Sequence, residues 1–155
     1  MPLDLEILAP GDRPILLGVS SKDVLDYAEG VFDQMGYKVH VAATHDEFLE
    51  RYGRVQYEIV FVEDSFGGVP WTQNKALTTL QTMPMGLRRH STVMLFSDTL
   101  ETLNPMQAFH QSVHAIVNRV DLDKLLLVVQ QVVNDNMTFL NVYRDVQSRI
   151  AQGKR

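Results

Sequence analysis

Tyr57-Glu58-Ile59-Val60-Phe61-Val62-Glu63-Asp64-Ser65 is the stretch on which the reading of this chain turns. Ile59 to Val62 is apolar without a break and ends in two carboxylates. A strand with one wet face alternates apolar and polar residues. An unbroken run belongs to a strand covered on both faces, as in a parallel sheet flanked by helices. Ile15-Leu16-Leu17-Gly18-Val19, Val93-Met94-Leu95-Phe96 and the shorter Ala115-Ile116-Val117 read the same way, while Tyr37-Lys38-Val39-His40-Val41 alternates loosely after Gly36.

Helical spacing fills the gaps. Val24, Leu25, Ala28, Val31, Phe32 and Met35 recur at three- and four-residue steps, with Gly36 placed as a C-cap. Asp46, Phe48, Leu49 and Tyr52 predict a second, short helix, and Trp71 to Leu80 a third, stopped before Pro84. Asn104-Pro105 opens a brief fourth, with Pro at the first helical position. Asp121 is read as the cap of a long fifth, whose inner side carries Leu122, Leu125, Leu126, Val129, Val132 and Val133. Five strands alternating with five helices predict a doubly wound, three-layer α/β sandwich with right-handed crossovers. Residues 1–13 read as an arm or linker remnant, and 14–155 as one domain whose last helix starts near 121; the chain could be a fragment of a longer protein.

Composition narrows the function. The 155 residues carry a net charge of −5 and no cysteine, so thiolate metal sites, disulfides and cysteine nucleophiles are excluded. The acidic balance argues against nucleic-acid binding, even with Arg88-Arg89-His90 and the basic residues near the C-terminus. No apolar run reaches the ~20 residues of a membrane span, and no signal sequence opens the chain, so a cytoplasmic location is expected.

Sites in open α/β sheets form beyond the carboxyl ends of the strands. Here those ends are Val19-Ser20-Ser21, Glu63-Asp64-Ser65, Ser97-Asp98 and Asn118-Arg119. With these residues in place, the pattern over about residues 13–133 resembles the receiver domains of bacterial response regulators, a flavodoxin-like fold with strand order 2-1-3-4-5. Tyr57 to Val62 is similar to the stretch leading into the phosphoacceptor, and Val93 to Ser97 to the strand ending in Ser or Thr. The resemblance implies two-component signalling, with phosphoryl transfer to an Asp assisted by Mg²⁺ on an acidic pair, a Ser or Thr, and a Lys. Residue by residue this chain departs from that set. The acidic pair falls on Val19 and Ser20, the acceptor on Glu63, and the Lys on Asn118; Ser97 alone matches. Valine cannot ligate a cation, and Mg²⁺ demands hard oxygen ligands. Glu63, one methylene longer than Asp, mimics a phosphorylated Asp more readily than it accepts phosphate. A one-residue slip would make Asp64 the acceptor, and strands apolar on both faces cannot veto it.

Other candidates carry weaker chemistry. Gly67-Gly68 reads as a flexible turn rather than a phosphate cradle, since no GxxxxGK[ST] or GxGxxG accompanies it. His110 and His114 have helical spacing for a metal pair but no third ligand. His40, His45 and His90 read as surface or strand-end residues. Ser20, Ser21 and Ser97 lack a nucleophile elbow or a triad histidine. Trp71 reads as packing, with a partner-surface anchor as its functional version.

The final helix is the main departure. From Asp121 to about Ile150 it would run roughly 45 Å, with a bend expected at Asn134-Asp135-Asn136, a poor helix stretch. Met137, Leu140, Tyr143 and Val146, with Phe139, Val142 and Ile150 alongside, make its second half apolar in steps. An exposed apolar stripe of that kind marks an interface. The expectation is a non-enzymatic pseudo-receiver, without metal or cofactor, that acts by binding a protein partner or a second copy. Met137, Phe139, Leu140, Tyr143, Val146 and Ile150 are its interface residues, and Val19, Ser20, Glu63, Asp64, Ser97 and Asn118 line a degenerate phosphoacceptor pocket. Two alternatives stay open: an active phosphorelay receiver using Asp64 with Asp23 or Asp98 as unusual metal ligands, and a flavodoxin-like small-ligand sensor above Gly67-Gly68.

Overall fold

A computed structural model describes residues 11–83 and 91–135. Strands β1 (Pro14–Gly18), β2 (Lys38–Val41), β3 (Ile59–Glu63), β4 (Thr92–Ser97) and β5 (Ala115–Asn118) alternate with helices α1 (Lys22–Gln34), α2 (His45–Arg54), α3 (Lys75–Thr82), α4 (Pro105–His110) and α5 (125–135). The strands pair in parallel in the order β2-β1-β3-β4-β5. The fold is the three-layer α/β sandwich that the apolar runs predict, with the strand order that the resemblance to receivers implies.

The sheet separates two cores. On one face Ile15, Leu17, Phe61, Met94, Phe96 and Val117 pack with Val24, Ala28 and Phe32 of α1 and Leu125, Val129 and Val132 of α5. On the other Leu16, Val60, Val62, Val93, Leu95 and Ile116 pack with Phe48, Leu77, Leu80 and Ala108. Every residue of β1, β3 and β4 is buried, which is why those strands show no alternation. Gly18 is set by packing: a Cβ there would stand 2.9 Å from the Phe48 ring and 3.3 Å from that of Phe66.

The structure corrects three local expectations. The helix predicted over Trp71–Leu80 is two pieces, a 3-10 turn at Trp71–Gln73 and then α3. Asn74 interrupts it, with extended backbone and a buried side chain. Its Oδ1 accepts from the Leu77 amide as the N-cap, while Nδ2 donates to the Glu63 and Asp64 carbonyls. The last helix is not capped by Asp121. Asn118 caps a 3-10 turn over Arg119–Lys124 and the α-helix begins at 125, because Asp121 is taken by the Thr102 hydroxyl. His40, read as a surface or strand-end residue, is buried, with Nδ1 2.8 Å from the Tyr57 hydroxyl. Met137, Phe139, Leu140, Tyr143, Val146 and Ile150, the arm at 1–10 and His90 lie outside the described residues. Among the described residues no helix is long and apolar enough to cross a membrane.

Asn74 joins α3 to the end of β3 through three hydrogen bonds, so its loss should register globally. Asn74→Ala is expected to lower unfolding free energy by about 2–3 kcal/mol in urea titrations, combining a lost cap with two orphaned carbonyls. Asn74→Asp restores the cap acceptor but not the donor, and should recover little.

Candidate functional site

The carboxyl ends of β1, β3 and β5 meet at the Glu63 side chain, which is only 2% exposed, and the end of β4 joins them through Arg119. Its Oε1 accepts from the Ser20 amide at 3.0 Å, and its Oε2 from the Ser21 hydroxyl at 3.2 Å. The Arg119 guanidinium, projecting from just past β5, reaches Oε2 at 3.4 Å. Glu63 therefore leans across to the β1–α1 loop. Of the positions where a receiver carries its acidic pair, Val19 is buried in the core. Ser20 instead spends its amide on Glu63 and its hydroxyl on the Gly67 amide, 2.7 Å away.

Arg119, which the sequence reading named only as part of a strand end, supplies the cation that pairs with Glu63. Its Nε donates to Asp98 at the end of β4, and its guanidinium lies 5.1 Å from the centre of the Phe96 ring. The Asp98 hydrogen bond, with the Asp98 and Glu63 charges behind it, raises the Arg119 pKa further above its ordinary value. Asn118, the residue at the Lys position, serves the backbone: Nδ2 donates to the Leu100 carbonyl and Oδ1 accepts from the Val120 amide. The cation that pairs with Glu63 thus stands one residue after the position where the resemblance puts a Lys. The only signal for it was an Arg directly following Asn118.

Asp64 turns the other way. Its carboxyl is half-buried at the end of β4, and burial raises its pKa, reinforced by the Asp98 and Glu63 charges and opposed by a Ser97 hydrogen bond. The Ser97 hydroxyl also accepts from the amides of Thr99 and Leu100, which fixes the first turn of the β4–α4 loop.

Gly67, read from the sequence as part of a β3–α3 turn, lies in one and donates its amide to the Ser20 hydroxyl. Its φ is +79°, and a Cβ would sit 2.6 Å from His45 Nε2. His45 bridges two elements: Nδ1 accepts from the Ala76 amide, so Nε2 carries the hydrogen donated to the Phe66 carbonyl. A groove of about 430 Å³ opens beside it, lined by Thr44, His45, Asp46, Val69, Gln73 and Lys75. His114 Nδ1 accepts from the Val93 amide, and Trp71 is exposed. Among the described residues no group of three His, Cys, Asp or Glu side chains is arranged to hold a metal ion.

Chemically, the site is a carboxylate held by an amide, a hydroxyl and a guanidinium. Its charge is balanced from within the chain.

Comparison with solved structures bears on the fold. NtrX from Brucella abortus, in a complex with ADP, matches with a TM-score of 0.66 at 17% identity, covering 93% of this chain and 30% of NtrX. The chain thus spans under a third of that protein. A CheY-like receiver domain protein from Methanospirillum hungatei matches at 0.63 and 16% identity, over 82% of this chain and 98% of its own. A response regulator from Thermotoga maritima matches at 0.60 and 14% identity, over 79% and 98%. No family model and no curated protein matches the chain. The structural neighbours are response-regulator receiver domains, and the fold is theirs.

The raised Asp64 pKa sets a pH dependence. A carboxyl whose pKa is higher folded than unfolded favours the fold at low pH. That advantage is lost as pH rises from the ordinary value of 3.8 through the folded one. Asp64→Asn keeps an acceptor for Ser97 and removes the charge. It should be more stable than the parent at pH 7, with the difference shrinking toward zero below pH 4, as read by urea unfolding across pH.

Proposed function

We propose that this chain is a receiver-like signalling domain that works without phosphoryl transfer and without catalysis, by presenting a fixed surface to a protein partner or a second copy. The observation that carries this reading is Glu63. A phosphoacceptor must offer a carboxylate oxygen to an incoming phosphoryl group beside a metal that neutralises its charge. Both Glu63 oxygens are instead engaged by Ser20, Ser21 and Arg119. Where a receiver would keep carboxylates for Mg²⁺, this chain has Val19 and Ser20.

Arg119 does for Glu63 electrostatically what Mg²⁺ and Lys do for a phosphorylated Asp. It cancels charge at the strand ends and ties β3 to β4 and β5. The domain is then held in one arrangement by its own side chains. Self-association belongs to this reading, and the apolar segment with Met137, Leu140, Tyr143 and Val146 is one contributor to it. Asp64 favours a second reading, an active phosphoacceptor, because it is half-buried beside Ser97 and Asp98.

Titration with beryllium fluoride and Mg²⁺, followed by backbone amide NMR shifts, separates the two. The expected result is no saturable change at Ser20, Glu63, Asp64 or Ser97. Saturable shifts clustered there would establish a live phosphoryl site and overturn the proposal; shifts centred on Asp64 and Ser97 would identify Asp64 as the acceptor. Independently, Arg119→Gln should cost about 1–2 kcal/mol. That is less than the about 3–5 kcal/mol for breaking a fully buried pair, because the guanidinium is 42% exposed. Arg119→Lys should recover part of the loss in the same unfolding measurement.

A further inference from the structure

The two edges of the sheet are treated differently. At one, β5 is closed by its own chain: Leu103 donates its amide to the Ile116 carbonyl, and Asn118 donates its amide to the Thr102 hydroxyl. At the other, β2 pairs with β1 alone. The amides of Lys38 and Ala42 turn inward, to the carbonyls of Arg13 and Leu17. Alternate residues of a parallel ladder face alternate sides, so the backbone groups of Val39 and Val41 point outward. Among the described residues no strand pairs with them. An open row of that kind is a template for another strand.

The side chains beside this edge are sorted by face. Val39 and Val41 are half-buried at the rim of the core under α1. Lys38 and the buried His40 alternate with them and take the other face. A groove of about 470 Å³ lies between α1 and the edge, lined by Asp26, Glu29 and Asp33 from the helix and by Tyr37, Lys38 and Val39 at the start of the strand. A strand added here must be apolar toward α1 and must keep its carboxylates on the opposite face.

We infer that the β2 edge is the docking site for residues 3–8 of this same chain, which lie outside the described residues and add there as an antiparallel strand with Glu6 opposite Lys38. Leu3-Asp4-Leu5-Glu6-Ile7 alternates apolar and acidic residues without a break. With Leu3, Leu5 and Ile7 toward α1, the arm extends the apolar rim of Val39 and Val41 and turns Asp4 and Glu6 to the Lys38 face. A one-residue slip sets those carboxylates against Asp26, Glu29 and Asp33, so charge fixes the facing. The tether fixes the source. Two strand spacings, about 10 Å, separate such a strand from β1, and from Leu8 to Pro14 the chain reaches roughly 20 Å. Gly11, with φ +92°, turns the chain just before β1. So short a tether gives the arm an effective concentration on the order of millimolar, which the arm of a second copy does not reach in dilute solution. Met137, Leu140, Tyr143 and Val146 recur at helical steps and lack the alternation an edge requires. An antiparallel edge strand on an otherwise parallel sheet is a common arrangement.

The chain has no cysteine, so two introduced ones report a single contact. In the full chain, Glu6→Cys with Lys38→Cys is expected to form a disulfide on mild oxidation, because residues facing each other in such a pair have Cα atoms about 4.5 Å apart. The product should run as a monomer on a non-reducing gel. Ile7→Cys with Lys38→Cys puts the two thiols on opposite faces and should crosslink at least tenfold more slowly. In the parent, the Val39 and Val41 amides should be protected from hydrogen exchange. Leu5→Pro should speed both at least tenfold and leave Val60 and Phe61 unchanged. Val39 and Val41 amides that exchange freely in the parent overturn the inference. So does a Glu6 pair that fails to crosslink, or that crosslinks no faster than the Ile7 pair. A crosslink formed only between chains overturns it too, and makes the occupant the arm of a second copy. None of these readouts touches the phosphoryl question, which the beryllium fluoride titration decides.

Discussion

A carboxylate taken out of water must be matched by the protein itself, and Glu63 is the point at which this molecule meets that demand. Its three partners come from two directions: the backbone and hydroxyl of the β1–α1 loop, and a guanidinium from beyond β5. The ends of β1 and β5 are thereby tied to the end of β3 through one side chain. The Ser20 hydroxyl, with its amide committed to Glu63, accepts from Gly67 and pulls in the β3–α3 loop. Arg119, turned toward Glu63, also takes Asp98 and so holds the end of β4. The β1–α1 and β3–α3 loops and the turn after β5 are thus connected through Glu63 and its partners.

The same edge continues into the surface above β5 as a series of short polar contacts. Ser97 shapes the first turn after β4, Asn118 takes the Leu100 carbonyl, and Thr102 bridges Asn118 to Asp121. Each contact satisfies a backbone or side-chain group that the loop would otherwise leave unpaired. Their joint effect is mechanical: α4, only six residues long and unable to persist alone, is positioned from both ends. Such a short helix is a stable platform only because the residues before and after it are fixed.

What the sequence made legible follows from how strongly each signal is local. The strands were legible because burial on both faces leaves uninterrupted apolar runs, as in Ile59–Val62 and Val93–Phe96. The alternation of elements then fixed the strand order through the resemblance to receivers. The break at Asn74 was not legible, since an Asn inside an apolar helical pattern reads as a solvated residue until its carbonyl partners on Glu63 and Asp64 are seen. The start of the last helix was misplaced because Asp121 has the right chemistry for a cap and is claimed by Thr102, 19 residues earlier. At the site, Glu63, Ser20 and Ser97 could be placed by counting along the strands. Arg119 could not, because a side chain long enough to reach back past its own strand end makes the position of its Cα a poor guide to the position of its charge.

The arrangement around Glu63 also bears on how the sheet comes apart. Ser20 and Ser21 follow β1 on one side of β3, while Arg119 follows β5 on the other, with β4 between. A partly opened form that sheds β5 removes the cation and leaves an anion in a largely dry setting. One that sheds β1 and its loop removes both hydrogen-bond donors. Either form carries a desolvation penalty that the intact sheet and the fully unfolded chain both escape, so intermediate openings are disfavoured from both ends. A charge placed at the edge of the parallel sheet thus couples β1, β3 and β5 through one side chain, in addition to the two cores that hold all five strands.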